Sequence, residues 1–488
     1  MYSRVSRIVP FISRTVFLFI PFTYAFGQDT PEPLLRHIEP LDAVVADLRD
    51  YIPARMADDH VPGLSIALVR EGKVVWSEGF GVANQWTGRP VTPETAFEVA
   101  SISKVVTAYV ALRLVEQGQL ALDEPLIGQL DEPWLPPSEW GDKITLRHLA
   151  GHSSGLSDNL LPMDKSLQFE PGTGFLYSGI GAQYIQAAVE QVTGQSLETA
   201  ARELALEPLG MTASSFVTTP DIRSHLANGH LGYGIPLLLF LMPFVMALVV
   251  IMIVLVMILR IRTGRWRVSV NQWALVLVAA GLLAILLLVW IMGPPLPNFV
   301  LLITLAGLGF AAVLALVILI GRQTLLRLFS RWRGSGLYRF LICAVLITIA
   351  ALVLIQLAMM ISGPKPRFIS PKPGAVGSLR SSAPDLARLL IELSQPQYLS
   401  PEMAEQIRTP QTPIDDNFSW GLGPGIQHSA QGDALWQNGI TFGYRSLMAV
   451  YPELGMGVVV LTNSDGGYDV ACDVAQRALG GKSTWKTF

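Results

Sequence analysis

The sequence predicts an α/β fold: an antiparallel sheet assembled from both ends of the chain, flanked by helices and interrupted by a four-helix transmembrane insertion. Three observations lead there. Apolar-rich runs around tight turns occur at residues 64–80 and again at 446–461, the signature of β-hairpins. Helical patterns begin at about residues 39, 101, 181, 383 and 468. Between the sheet-forming segments lie four long runs with no Asp, Glu, Lys or Arg in their interiors, and each meets the roughly 20 residues a helix needs to cross a bilayer.

Composition agrees. The 488 residues are 51% hydrophobic and only 15% charged, against about 25% charged in an average soluble chain, and mean hydropathy is +0.42. A net charge of -3 supplies no basic footprint, which argues against a nucleic-acid partner. The two cysteines, Cys343 and Cys472, include one inside an apolar run, so no disulfide is expected. Neither has the spacing of a metal-ligand set, and no metal or cofactor is expected.

Taken from the N-terminus, Arg4, Arg7 and Arg14 precede the apolar stretch Val16 to Phe26 and the small-residue site Ala25-Phe26-Gly27. That order reads as a signal peptide over residues 1–27, with an uncleaved anchor helix as the alternative. Residues 34–232 then read as the first part of a soluble α/β domain. Its opening hairpin joins Leu64–Arg70 to Val74–Phe80 through Glu71-Gly72-Lys73. Residues 233–362 hold the apolar runs, at 235–259, 272–292, 299–321 and 340–361. The first loop between them carries Arg260, Arg262, Arg265 and Arg267; the third carries Arg322, Arg327, Arg331, Arg333 and Arg339. The middle loop, residues 293–298, carries no charge. Positive loops stay inside, so both flanking segments face outwards, and the prediction is a multi-pass protein of the cell membrane with a periplasmic or extracellular domain. Residues 363–488 supply the second part of that domain, with its own hairpin around Pro452-Glu-Leu-Gly455.

The chemistry centres on Ser101-Ile-Ser-Lys104. Positions i and i+3 share a helix face, so this serine and lysine can touch. Serine is a weak nucleophile until a base takes its proton, and a desolvated lysine can serve as that base. The pattern S-x-x-K recurs at Ser362/Lys365 and Ser483/Lys486. Gly363-Pro364 forbids a helical pair in the first, and the second sits in a short tail. Only Ser101 opens a long apolar helical run, Val105 to Val115. An ordinary N-cap serine is the competing explanation.

Residues in order add to this. Val61-Pro-Gly-Leu-Ser-Ile-Ala-Leu-Val69, Gly79-Phe-Gly-Val82 and Thr95 to Lys104 are followed by Leu146-Arg-His-Leu-Ala-Gly-His-Ser-Ser-Gly-Leu156 and Pro171-Gly-Thr-Gly-Phe-Leu-Tyr-Ser-Gly179. Then come Ser381-Ser-Ala-Pro-Asp-Leu-Ala387, Gln437-Asn-Gly439 and Val458-Val-Val-Leu-Thr-Asn463. This series resembles the serine β-lactamase and penicillin-binding-protein-like family, of the class C, D-aminopeptidase and esterase type. The resemblance covers both soluble segments and none of the apolar runs. It implies a β-lactamase-like sheet with an all-helical subdomain. It also implies Ser101 as nucleophile, Lys104 as its base and Tyr177 as proton shuttle, with the backbone N–H groups of Ser101 and Ile440 as an oxyanion hole. Gly179, Gln437, Asn438 and Gly439 would line the substrate site.

Two positions depart from the family pattern. Gly179 stands where the second motif, Tyr-x-Asn, has asparagine, and Gln437 stands where the third has lysine or histidine. A substrate carboxylate would lose its ionic partner at Gln437, which implies ester or peptide substrates over true lactams. The expected function is a membrane-bound serine hydrolase acting through a seryl acyl-enzyme on amide, ester or D-amino-acid peptide substrates, small molecules or cell-wall fragments. The alternative is a weakly active or non-hydrolytic ligand sensor signalling through the spans. Gly151-His-Ser-Ser-Gly155 matches the nucleophile elbow, but that motif must follow a strand and residues 144–150 read as helix. His148 and His152 have i, i+4 spacing without a third ligand, so they are expected to be structural. Gly480-Gly-Lys-Ser483 lacks the leading glycine of a phosphate loop.

Overall fold

The computed structural model describes residues 34–85, 87–158, 165–230, 373–481 and 485. The expected signal peptide, the four apolar runs, Cys343 and the two competing S-x-x-K pairs lie outside these residues.

The first hairpin forms as expected. Strands β1 (Gly63–Arg70) and β2 (Lys73–Asn84) flank a two-residue turn. Glu71 and Gly72 both take positive φ, 50° and 67°, the turn whose twist matches paired strands. The last hairpin joins β10 (Tyr444–Tyr451) to β11 (Met456–Thr462). β1 and β11 then pair antiparallel, Leu64 opposite Thr462 and Val69 opposite Gly457, so the two ends of the chain share one sheet. The remaining strands are β3 (Arg89–Pro90), β4 (Phe97–Glu98), β5 (Arg380–Ser381), β6 (Thr412–Asp415), β7 (Phe418–Trp420), β8 (Gly425–Gln427) and β9 (Ala434–Thr441). Nine of them form one sheet in the order β3-β2-β1-β11-β10-β9-β8-β7-β6, while β4 and β5 pair separately.

The central strands are apolar throughout because both faces are covered. Leu64, Ile66, Leu68, Leu447, Ala449, Val458 and Val460 face one core, shared with helices α1 (Leu41–Asp58) and the C-terminal helix Gly467–Leu479. Their alternating neighbours Ala67, Val69, Met448, Val450, Val459 and Leu461 face a second. That second core contains α2 (Ile102–Glu116), α3 (Leu146–Ala150), α4 (Gly179–Thr193) and α5 (Leu197–Ala201), the all-helical part, with α6 (Pro220–His225) beside it. α7 (Ala383–Ser394) and α8 (Pro401–Arg408) return the chain to the sheet, and the C-terminal helix is α9. α2 is buried almost all round, which explains its lack of a polar stripe.

One expectation is corrected. Among the described residues no helix is long and apolar enough to cross a membrane. α2, apolar and buried, has 15 residues, about 22 Å at 1.5 Å per residue, short of the ~30 Å hydrocarbon core. α1 is longer, but it carries Asp42, Asp47, Arg49, Asp50 and Arg55. The β-lactamase-like α/β architecture stands; the transmembrane insertion does not stand with it.

Candidate active site

The chain enters α2 through a sharp corner. Ala100 holds φ +47°, a left-handed conformation that costs a non-glycine residue on the order of 1–3 kcal/mol unless its surroundings enforce it. They do so from three sides. Phe97 and Glu98 pair with Ser381 and Arg380. Val99 donates its N–H to the Leu379 carbonyl at 3.1 Å and accepts from Ser446 Oγ at 3.1 Å. Ser103 Oγ donates to the Ala100 carbonyl at 2.6 Å and accepts from the Leu379 N–H at 3.0 Å. A buried ion pair, Arg380 to Glu98 at 3.5 Å, locks the β4–β5 ladder, and burial pushes the Glu98 carboxyl above its usual range.

Beyond that corner the expected pair meets. Lys104, buried, donates from Nζ to Ser101 Oγ at 3.0 Å and to the Val376 carbonyl at 3.1 Å. Its Nζ lies 4.8 Å from the centre of the Tyr177 ring. Tyr177 is therefore brought from a separate stretch of chain to the Ser101–Lys104 pair. Val376 is held in place by α4: Gln186 Nε2 donates to the Pro373 carbonyl at 3.1 Å, and Gln186 Oε1 accepts from the Ala375 N–H at 2.9 Å.

Tyr177 precedes the N-terminus of α4. Ser178 caps that helix, accepting from the Gly181 N–H at 2.8 Å, and its own N–H donates to His152 Nδ1 at 3.1 Å. The bond assigns Nδ1 as the acceptor nitrogen. The His152 ring lies 4.4 Å from the Tyr177 ring and 4.9 Å from that of Trp420. Burial, and next the nearby Lys104 charge, push its pKa down to about 3. His152 is thus neutral at ordinary pH. Gly179 places only backbone here: its N–H donates to Asp158 Oδ1 at 2.5 Å.

The third motif lies on β9. Gly439 fits against the Ser101 segment so closely that a Cβ there would stand 2.1 Å from the Val99 carbonyl oxygen. Gln437 shares that face of the strand by alternation and is buried, with Nε2 donating to the Asn438 carbonyl at 2.8 Å. Asn438 points the other way, towards α9, where Nδ2 donates to Tyr468 Oη at 3.2 Å. The structure does not bring its side chain to Ser101. Ile440 follows Gly439 on the strand, its side chain 45% exposed, so what it can offer the site is backbone.

The competing motifs resolve structurally. Gly151-His-Ser-Ser-Gly155 follows helix α3, not a strand, and His148 closes a capping box with Thr145. A row absent from the sequence reasoning joins Ser419 Oγ to His428 Nε2 at 2.9 Å and His428 Nδ1 to Asp433 Oδ2 at 3.0 Å. Ser419 is buried inside β7, so this row braces the turn from β8 to β9 and presents no open nucleophile. Also missed were the Val376 carbonyl, Gln186 and Trp420. A backbone acceptor leaves no residue signature. Among the described residues no group of three or more His, Cys, Asp or Glu side chains could hold a metal.

A family model described as Beta-lactamase matches residues 48–285 and 315–481. Esterase EstB of Burkholderia gladioli is 33% identical over 216 residues, 38% of this chain and 55% of the esterase. Penicillin-binding protein 4 of Amycolatopsis lactamdurans is 28% identical over 203 residues, 38% of this chain and 53% of its own. The chain thus spans about half the length of these relatives. Among solved structures, the octameric penicillin-binding protein homologue from Pyrococcus abyssi superposes with a TM-score of 0.56 at 21% identity, over 89% of this chain and 76% of that one, a likeness of fold. The family match enters 235–259, 272–285, 315–321 and 340–361, stretches that hydropathy alone assigns to lipid. Together with the helix lengths above, this removes the support for the multi-pass cell-membrane localisation. The chain belongs to the beta-lactamase family of serine hydrolases.

Proposed function

We propose that the chain hydrolyses, or transfers the acyl group of, an ester, amide or D-amino-acid peptide through a covalent intermediate on Ser101. The observation that carries this is the 3.0 Å contact between Lys104 Nζ and Ser101 Oγ at the start of a buried helix. In its amine form Lys104 accepts the Ser101 proton while Oγ bonds to the substrate carbonyl carbon. Tyr177, beside Lys104, passes a proton to the departing alcohol or amine as the C–O or C–N bond breaks. Water then attacks the acyl-enzyme, releasing the acid and restoring the Ser101 hydroxyl. The oxyanion is held by the N–H groups of Ser101, at a helix start where amides lack intrahelical partners, and of Ile440. One such donor is typically worth about 10²- to 10³-fold in rate. The substrate would be a small molecule or peptide, cell-wall fragments included, and this scheme requires neither metal nor cofactor.

Labelling with a fluorescent fluorophosphonate tests the assignment. Wild type should label at Ser101, while Ser101→Ala should not and Lys104→Met only weakly. A folded wild type that resists the probe would sink the hydrolase mechanism. A fluorescent penicillin tried in parallel decides whether lactams enter.

A further inference from the structure

Gln437 is 1% exposed, and its Oε1 has no hydrogen-bond partner. Buried polar atoms are satisfied in the great majority of cases, and an orphan calls for an explanation. The amide cannot simply be turned over. Nε2 donates to the Asn438 carbonyl at 2.8 Å, and exchanging the two atoms would set two acceptors against each other. The carbonyl end of Gln437 is therefore the end left open. It lies on the strand face that meets the Ser101 segment, two residues from Gly439, which abuts the Val99 carbonyl. Opposite Gln437 on β10 stands Met448, whose side chain offers the amide oxygen no donor. At the edge of the second motif the fixed group is again an acceptor, the Asp158 carboxylate on the Gly179 N–H.

Resting on the Ser101 hydrolase reading, we infer that Gln437 Oε1 is a hydrogen-bond acceptor for the substrate, so that the preferred substrates carry a donor near the scissile carbonyl (an amide N–H, a hydroxyl or an ammonium) and not a carboxylate. A carboxylate placed there would meet a carbonyl oxygen while leaving the water that solvates it. A donor satisfies an orphan that the folded protein otherwise bears unpaired.

The test uses two fluorophosphonate probes, identical except that one ends in a carboxamide and the other in a carboxylate. Their second-order rates of labelling Ser101 are compared on the whole chain. The carboxamide probe should react at least about tenfold faster with wild type, the size of one buried hydrogen bond gained or lost. Gln437→Lys should reverse the order. If a lysine cannot be accommodated there, Gln437→Met, of similar size and with no acceptor, should erase the preference; circular dichroism identifies the folded variants. Equal rates, or a faster carboxylate probe, on a wild type that still labels would overturn this inference and leave the hydrolase reading intact. Labelling by neither probe would instead remove Ser101 as an activated nucleophile, and the inference with it.

Discussion

Gly439→Ala isolates the contact that joins the sheet to the nucleophile. Its Cβ would stand 2.1 Å from the Val99 carbonyl oxygen and 2.3 Å from Ser446 Oγ. Comfortable separations begin near 3.5 Å, so β9 or the Val99 backbone must retreat by about 1 Å or more. That retreat separates the two proposed oxyanion donors, since Ile440 follows Gly439 and Ser101 lies two residues beyond Val99. A displacement of this size typically costs about 10²-fold in rate. Overpacking of the same contact should remove about 1–3 kcal/mol of stability. The assay is kcat/KM on a p-nitrophenyl ester, well below the melting temperature of each variant. Gly457→Ala serves as control. Its Cβ also crowds a backbone carbonyl, Ala449 at 2.9 Å, but towards the other end of β11, so stability should fall while kcat/KM stays within about threefold. A folded Gly439→Ala enzyme with wild-type kcat/KM would refute the placement of the oxyanion hole.

Three further outcomes follow from the geometry and charge of the site. Lys104→Met should lower kcat/KM by about 10²- to 10⁴-fold, the range of a lost general base, with the melting temperature retained; unchanged kinetics would remove Lys104 from the chemistry. Arg380→Met strands the buried Glu98 carboxylate and should cost about 3–5 kcal/mol in urea unfolding at pH 7. Glu98→Gln added to it should recover much of that loss. Because the Glu98 pKa is raised in the folded state, the single variant should lose less at pH 5 than at pH 7. His152 has the opposite sign. Its folded pKa of about 3 lies below the unfolded value near 6.5, so the unfolded chain binds the extra proton between those pH values. Its stabilising contribution is complete above about pH 6.5 and falls by up to about 1.4 kcal/mol per unit as pH drops towards 3. Unfolding midpoints at pH 5 and 7 should therefore diverge less in His152→Asn than in wild type; an unaltered difference would show that His152 does not contribute.

What was legible in the sequence is what depends on neighbours along the chain. The hairpin at Glu71-Gly72 and the Ser101–Lys104 pair are local, set by turn chemistry and by the i, i+3 spacing. Even the face taken by Asn438 was open to inference: strand alternation puts it opposite Gln437 and Gly439, and the substrate role expected of it ignored that periodicity. The Val376 carbonyl is another matter. It meets Lys104 across 272 residues, and a backbone oxygen carries no side-chain identity to recognise. Gln437 was read as an uncharged replacement for a cation; the orientation of its amide, with the N–H engaged by the carbonyl of the next residue, has no sequence signal. Hydropathy misled for a related reason. Apolar sequence marks burial in protein and burial in lipid alike, and the family match enters the stretches that hydropathy assigned to lipid.

The site separates holding from reacting. Lys104 is aimed by a carbonyl it does not transform, Val376, which is itself set by Gln186 on α4. Tyr177 is placed at the threshold of the same helix, where Ser178 ties the cap to His152. Helix α4 therefore touches the site twice, through the loop after residue 373 that faces Lys104 and through its own N-terminus at Tyr177. A shift of α4 would move Tyr177 and the Val376 carbonyl relative to Ser101 and Lys104, which share the start of α2 beside β5 and Ser446. Tyr177 thus reaches the Ser101–Lys104 pair from α4, while the pair itself sits on α2, and the neutral His152 ring packs against Tyr177 and Trp420. A protonated histidine there would place a buried positive charge against the Tyr177 and Trp420 rings, with no carboxylate among the described residues to pair it. Burial keeps the ring neutral, so a single side chain both accepts the Ser178 N–H at the α4 cap and packs against Tyr177.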